Sequence, residues 1–164
     1  MATTTDETIG GDEAMPSKDE GQIFTLRRRY NCKTVALGGE GNVTSGDTLA
    51  LINIPANTFV WKVAVVKYTA EGATQTVGIG DGSATSGFIT GCDLNSTTTE
   101  ISSLTLSEAA PNTVSGYTDG KLYTAADTID AIFNNTADTA DFEVIAFCMK
   151  VKADVSRNAT YGAV

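Results

Sequence analysis

The sequence predicts an all-β protein built from antiparallel strands, a sandwich or a barrel, and three observations carry that reading. Short apolar runs recur from about residue 43 to residue 151, each bounded by glycine, proline, asparagine or aspartate, at the spacing typical of such folds. No stretch of 12 residues holds the i, i+3, i+4 apolar spacing of an amphipathic helix. Charged residues are only 19% of the 164, so threonine, serine and asparagine must cover the surface. Threonine favours strands because a β-branched side chain loses rotamer freedom in a helix and packs well on a pleated sheet.

Taken in order, residues 1–21, MATTTDETIGGDEAMPSKDEG, set six carboxylates against the single Lys18, with Ile9 and the methionines as the main apolar groups. Such a segment cannot bury enough of itself to offset its ordering entropy, so it is expected to gain order only by lying on another surface. Next, QIFTLRRRYNCK alternates from Gln22 to Leu26 as a strand does and then concentrates Arg27, Arg28, Arg29 and Lys33. An acidic arm followed by a basic stripe suggests an extended N-terminal arm over residues 1–30 and a β domain over 31–164. The stripe would then clamp an acidic surface of a neighbouring subunit, and Ile9, Ile23 and Phe24 would be its apolar contacts.

The expected strands of the β domain are Thr48 to Ile54, Phe59 to Tyr68, Thr74 to Ile79, Phe88 to Cys92, Ile101 to Leu106, Lys121 to Tyr123, Thr128 to Phe133 and Phe142 to Val151. Pro55 closes the first of them because it has no N–H for a ladder, and the Asp-Gly pairs at 81–82 and 119–120 offer the positive φ of tight turns. In FVWKVAVVKY, alternation places Phe59, Trp61, Val63 and Val65 on one face. In DFEVIAFCMKVK the period slips: Phe142 and Val144 share one parity, while Ile145, Phe147, Met149 and Val151 share the other. A β-bulge or a strand covered on both faces would produce that slip, and this last strand is expected to be central.

Charge and motif exclude several function classes. A net charge of −9 repels nucleic acid and anionic lipid alike. The leading MATTTDETIGG lacks the basic and apolar regions of a secretion signal, so synthesis in a cytoplasm is expected. Cys32, Cys92 and Cys148 lack zinc-site spacing and read as reduced thiols, Cys148 buried. TVGIGDGSATSGFITGCDLN, residues 76–95, is glycine-rich, yet Phe88 and Ile89 stand where a phosphate-binding loop needs lysine and a hydroxyl. Asp81, Ser83, Asp93 and Asn95 could offer oxygens to a cation, but without the order of a calcium loop, so no metal and no cofactor is expected. With no histidine in the chain, catalysis would need paired carboxylates such as Asp127 with Asp130 or Asp138 with Asp141, and no enzyme is expected.

The stretches LINIPANTFVWKVAVVKYTAEGATQTVGIGDG, GFITGCDLN and GKLYTAADTIDAIF resemble those of small all-β structural proteins of tailed-bacteriophage heads, the capsid decoration (cement) and head-fibre-like proteins. The resemblance covers roughly residues 45–150. It implies a jelly-roll-like β-sandwich, frequent trimerisation, and a seat on the capsid exterior where an extended arm clamps subunits of the major capsid protein. The function it implies is a virion structural one. The alternative is a head-fibre or adhesin-like module that binds glycans, whose signature would be exposed aromatics on loops, for instance Trp61, Tyr117, Tyr123 or Tyr161.

Overall fold

The structure is a computed structural model that describes residues 22–33, 43–72, 74–95, 104–106, 116–117 and 119–151. Among these described residues nine strands follow one another: β1 Ile23–Asn31, β2 Thr48–Ile54, β3 Thr58–Thr69, β4 Thr76–Gly80, β5 Ile89–Asp93, β6 Leu104–Leu106, β7 Lys121–Tyr123, β8 Asp127–Phe133 and β9 Asp141–Lys150. They form two sheets in which every pairing is antiparallel. The first has the order β1-β9-β3-β6, with β7 beside the start of β3; the second has the order β2-β8-β4-β5. The fold is an antiparallel, jelly-roll-like β-sandwich, and β9 is central to its sheet as its apolar run implies.

Alternation explains which side chains make the core. Val60, Val63 and Val65 of β3 and Phe142, Val144, Ala146 and Cys148 of β9 point inward from the first sheet. Leu49, Ile52, Ile54, Val77, Ile79, Ile129, Ala131 and Phe133 meet them from the second. Tyr30, Phe133 and Phe142 tie the layers together, their ring centroids 6.0–6.3 Å apart in tilted contact. Cys32, Cys92 and Cys148 are all buried and in no disulfide, and burial pushes the thiols of Cys32 and Cys148 up to about 12.

Three observations differ from the expectations. The boundary expected after residue 30 falls inside β1, because Phe24, Leu26, Tyr30 and Cys32 keep alternating inward through the arginine run. The slip in β9 is no bulge in that strand: its register against β1 is unbroken, and its outward positions Ile145, Phe147 and Met149 are apolar too. The bulges lie opposite, in β3, between Val60 and Lys62 and between Lys67 and Thr69. The first of them breaks the expected face of β3. Val60, Val63 and Val65 go inward, Phe59 goes outward, and Trp61, the extra residue, is left 48% exposed.

Candidate interaction surface

The outer face of the first sheet divides into two halves with opposite chemistry. At one end, Ile23 lies directly opposite Met149, Met149 opposite Phe59, and Phe59 opposite Leu122. Residues in register across a ladder point to the same side, so these four form an apolar row across β1, β9, β3 and β7. Phe147 stands next along β9, and the bulge delivers Trp61 beside the row. Among the described residues the exposed large hydrophobics are Ile23 at 61%, Trp61 at 48% and Leu122 at 47%, and all three gather at this end.

The other end is charged. Arg27 and Arg29 point outward from β1 opposite Ile145 and Glu143, and each reaches an acid of β9. The Arg27 Nε donates to Glu143 Oε1 at 2.7 Å. The Arg29 Nε and Nη2 donate to the two oxygens of Asp141 at 2.9 and 2.7 Å. Asn31 adds a third donor to Asp141, the Tyr68 hydroxyl donates to Glu143 Oε2 at 2.8 Å, and the Arg29 guanidinium stacks 4.2 Å above the Tyr68 ring. The hydrogen bonds it donates to Asp141 hold the Arg29 guanidinium above its ordinary pKa, and the bond to Glu143 does the same for the Tyr68 hydroxyl.

The residues expected to bind a partner are therefore scattered in role. Ile9 lies outside the described residues. Ile23 is in the apolar row, Phe24 turns the other way and packs half-buried against the core, and Arg28 takes a half-buried inward position. Arg27 and Arg29 are exposed but paired within the chain, and Lys33 is exposed just beyond β1. Phe59, Leu122 and Met149 were not among the expected contacts. The signal that could have found two outward members of this face was the doubled apolar parity of β9, which marks a strand that is apolar on both sides.

The glycine-rich loop does a different job. Its Asp81 is fully buried, and its carboxylate accepts bonds from the Tyr117 hydroxyl at 2.9 Å, the Tyr123 hydroxyl at 2.8 Å, the Ser83 N–H at 2.8 Å and the Lys121 ammonium. Burial alone would raise the Asp81 pKa, but Lys121, the two hydroxyls and the Ser83 N–H outweigh it and hold the carboxyl down at about 2. The glycines let the loop close: a Cβ on Gly80 would strike the Ala84 carbonyl, and one on Gly87 the Tyr117 ring. The possible cation donors are split, since Asp81 faces this interior cluster while Asp93 accepts from the N–H and side-chain amide of Asn95. The carboxylate pairs do not converge either. Asp130 points outward from β8 while Asp127 opens the strand on the opposite parity, and Asp141 is engaged by Arg29.

This fold is shared by chains in three solved structures. They are the "Cyanophage Pam1 capsid asymmetric unit" (TM-score 0.59, 13% identity, covering 91% of this chain and 96% of that one), the "Acidic stable capsid structure of Helicobacter pylori bacteriophage KHP30" (0.55, 11%, 80% and 90%) and the "Capsid of Ralstonia phage GP4" (0.51, 15%, 92% and 94%). No family model matches the sequence, and no curated protein does.

Proposed function

We propose that the chain is a virion structural protein of a tailed bacteriophage: a capsid decoration (cement) protein that sits on the outside of the shell as a homotrimer and binds the major capsid protein. The observation that carries this reading is the likeness over nearly the whole length of the chain, and nearly the whole length of its counterparts, to chains found in three phage capsid structures. A short β-sandwich stabilises a shell by contact alone. Many copies bury surface across subunit junctions, and the summed burial opposes the outward pressure of packaged DNA. Residues 1–21 suit an arm in such a design, since an extended chain reaches about 3.3–3.6 Å per residue. The strand that follows them starts at Ile23, on the margin of the apolar row.

The glycan-binding alternative draws on exposed aromatics, and the structure offers Trp61. Trp61 sits on a strand, however, while Tyr117 and Tyr123 are turned in on Asp81. The test uses shells that lack the protein. Added full-length chain should bind at saturable occupancy and raise resistance to heat and osmotic shock, and removal of residues 1–21 should abolish attachment. Unchanged occupancy without those residues would refute the arm; binding to glycans but not to shells would refute decoration.

A further inference from the structure

We infer that the apolar end of the first sheet's outer face, the row Ile23–Met149–Phe59–Leu122 with Trp61 and Phe147, is the surface through which one copy of this chain contacts another. The inference rests on the reading of the chain as an oligomeric virion component and gives that oligomer its contact. Three observations support it. A contiguous cluster of large exposed apolar side chains is unusual on a monomer and marks an interaction surface. Isolated apolar residues on a surface need no explanation, but here four are locked side by side by strand register and two more adjoin them.

The second observation concerns the nature of the occupant. Contacts between copies are richer in apolar and aromatic groups than transient contacts are, and the four residues of the row are uncharged, with Lys62, opposite Phe147, as the charge that borders them. Arg27 and Arg29, farther along the same face, already have Glu143 and Asp141 as partners, so the charged half makes no demand on an incoming ion. The third is the distribution of charge. Within the strands of the second sheet there is no lysine or arginine, only Asp93, Asp127 and Asp130. On the outer face of the first sheet Arg27, Arg29 and Lys62 stand against Asp141 and Glu143, since Arg28 and Lys67 turn inward and Lys121 is held by Asp81. A second copy carries −9, and this sheet is where it can approach with least repulsion. Gln22 and Val151 both lie at this margin, held by the Lys150 N–H to the Gln22 carbonyl and the Val151 N–H to the Asn57 carbonyl.

Trp61 is the only tryptophan in the chain, so its fluorescence reads this surface alone. The test follows the full-length protein by sedimentation over a dilution series while recording Trp61 emission and acrylamide quenching. An oligomer is expected, and on dilution Trp61 should shift to the red and quench more readily in step with dissociation. Leu122→Glu and Ile23→Glu, both at exposed positions, should each weaken association at least tenfold while leaving the thermal midpoint of the monomer unchanged. A chain that stays monomeric at the highest concentration overturns the inference, as does an oligomer whose Trp61 is quenched as freely as in the monomer. Trp61 protected only when shells are added would likewise overturn it and give the surface to the shell. The proposed function fails separately, by an oligomer formed through Trp61 that does not attach to shells.

Discussion

Two ionic regions of this molecule use the same chemistry in opposite settings. At the charged end of the outer face, Arg27 and Arg29 leave side chains 69% and 56% exposed over Glu143 and Asp141. Inside the glycine-rich loop, Asp81 is buried and meets Lys121, Tyr117 and Tyr123. Glu143 and Asp141 are themselves buried, but their arginines stay in water and each acid has a further donor, so these pairs add little, whereas a buried charge stripped of its partners has nothing to replace them. The difference assigns the two regions different work. The loop cluster holds the β4–β5 turn against β7, and the arginine stripe adjusts a surface without holding the fold together.

The largest effect is therefore expected at Asp81. Asp81→Ala leaves the Lys121 ammonium without its acid and removes the acceptor of two tyrosine hydroxyls, which should destabilise the chain by about 3–5 kcal/mol. Against a typical stability of about 5–15 kcal/mol, that loss would show plainly in denaturant unfolding. A loss below about 1 kcal/mol would mean that the cluster is not the tie described. The same residue sets a pH dependence. Because its folded pKa lies near 2, below the ordinary 3.8, its contribution is complete above about pH 4 and is lost as pH falls through 2. The shift corresponds to about 2 kcal/mol, and Asp81→Asn should remove that part of the acid transition.

Lys67 sharpens the contrast from the other side. It is a buried ion-forming side chain like Asp81, yet its Nζ has no hydrogen-bond partner among the described residues. An unsatisfied buried polar group costs about 1–3 kcal/mol, so Lys67→Met, similar in length and apolar, should raise stability by about that much. A fall in the unfolding midpoint would reveal an unseen partner for the amine and place Lys67 beside Asp81 as a satisfied charge.

Much of the sandwich is legible in the sequence because alternation is local. β2 and β7 have the bounds that their apolar runs suggest, and the remaining strands differ by a few residues at their ends. What escapes is whatever depends on pairing across the chain. The arginine run reads as the end of a strand because the acids that neutralise Arg27 and Arg29 lie 116 and 112 residues away. Asp81 reads as a turn aspartate because Tyr117, Lys121 and Tyr123 come 36–42 residues later. Trp61 reads as core because a bulge is a property of two strands, and the partner register that creates it is not written in either strand alone. The apolar row has the same origin: each of its members is an ordinary strand hydrophobe, and only the ladder puts them side by side.

The smallest effect is expected at the arginine stripe, where it separates stability from surface chemistry. Glu143 keeps the Tyr68 hydroxyl and Asp141 keeps the Asn31 amide when the arginines are gone. Arg27→Ala with Arg29→Ala should therefore move the thermal midpoint by no more than about 2–3 °C, and 1 M salt should shrink even that shift, because exposed pairs are screened. Both carboxylates would nonetheless be uncovered, turning a compensated stripe into an acidic one. Attachment to an acidic partner surface should then weaken, most at low salt, while the fold persists. A double variant that melts many degrees lower would show that the stripe is structural after all and would erase the contrast with Asp81.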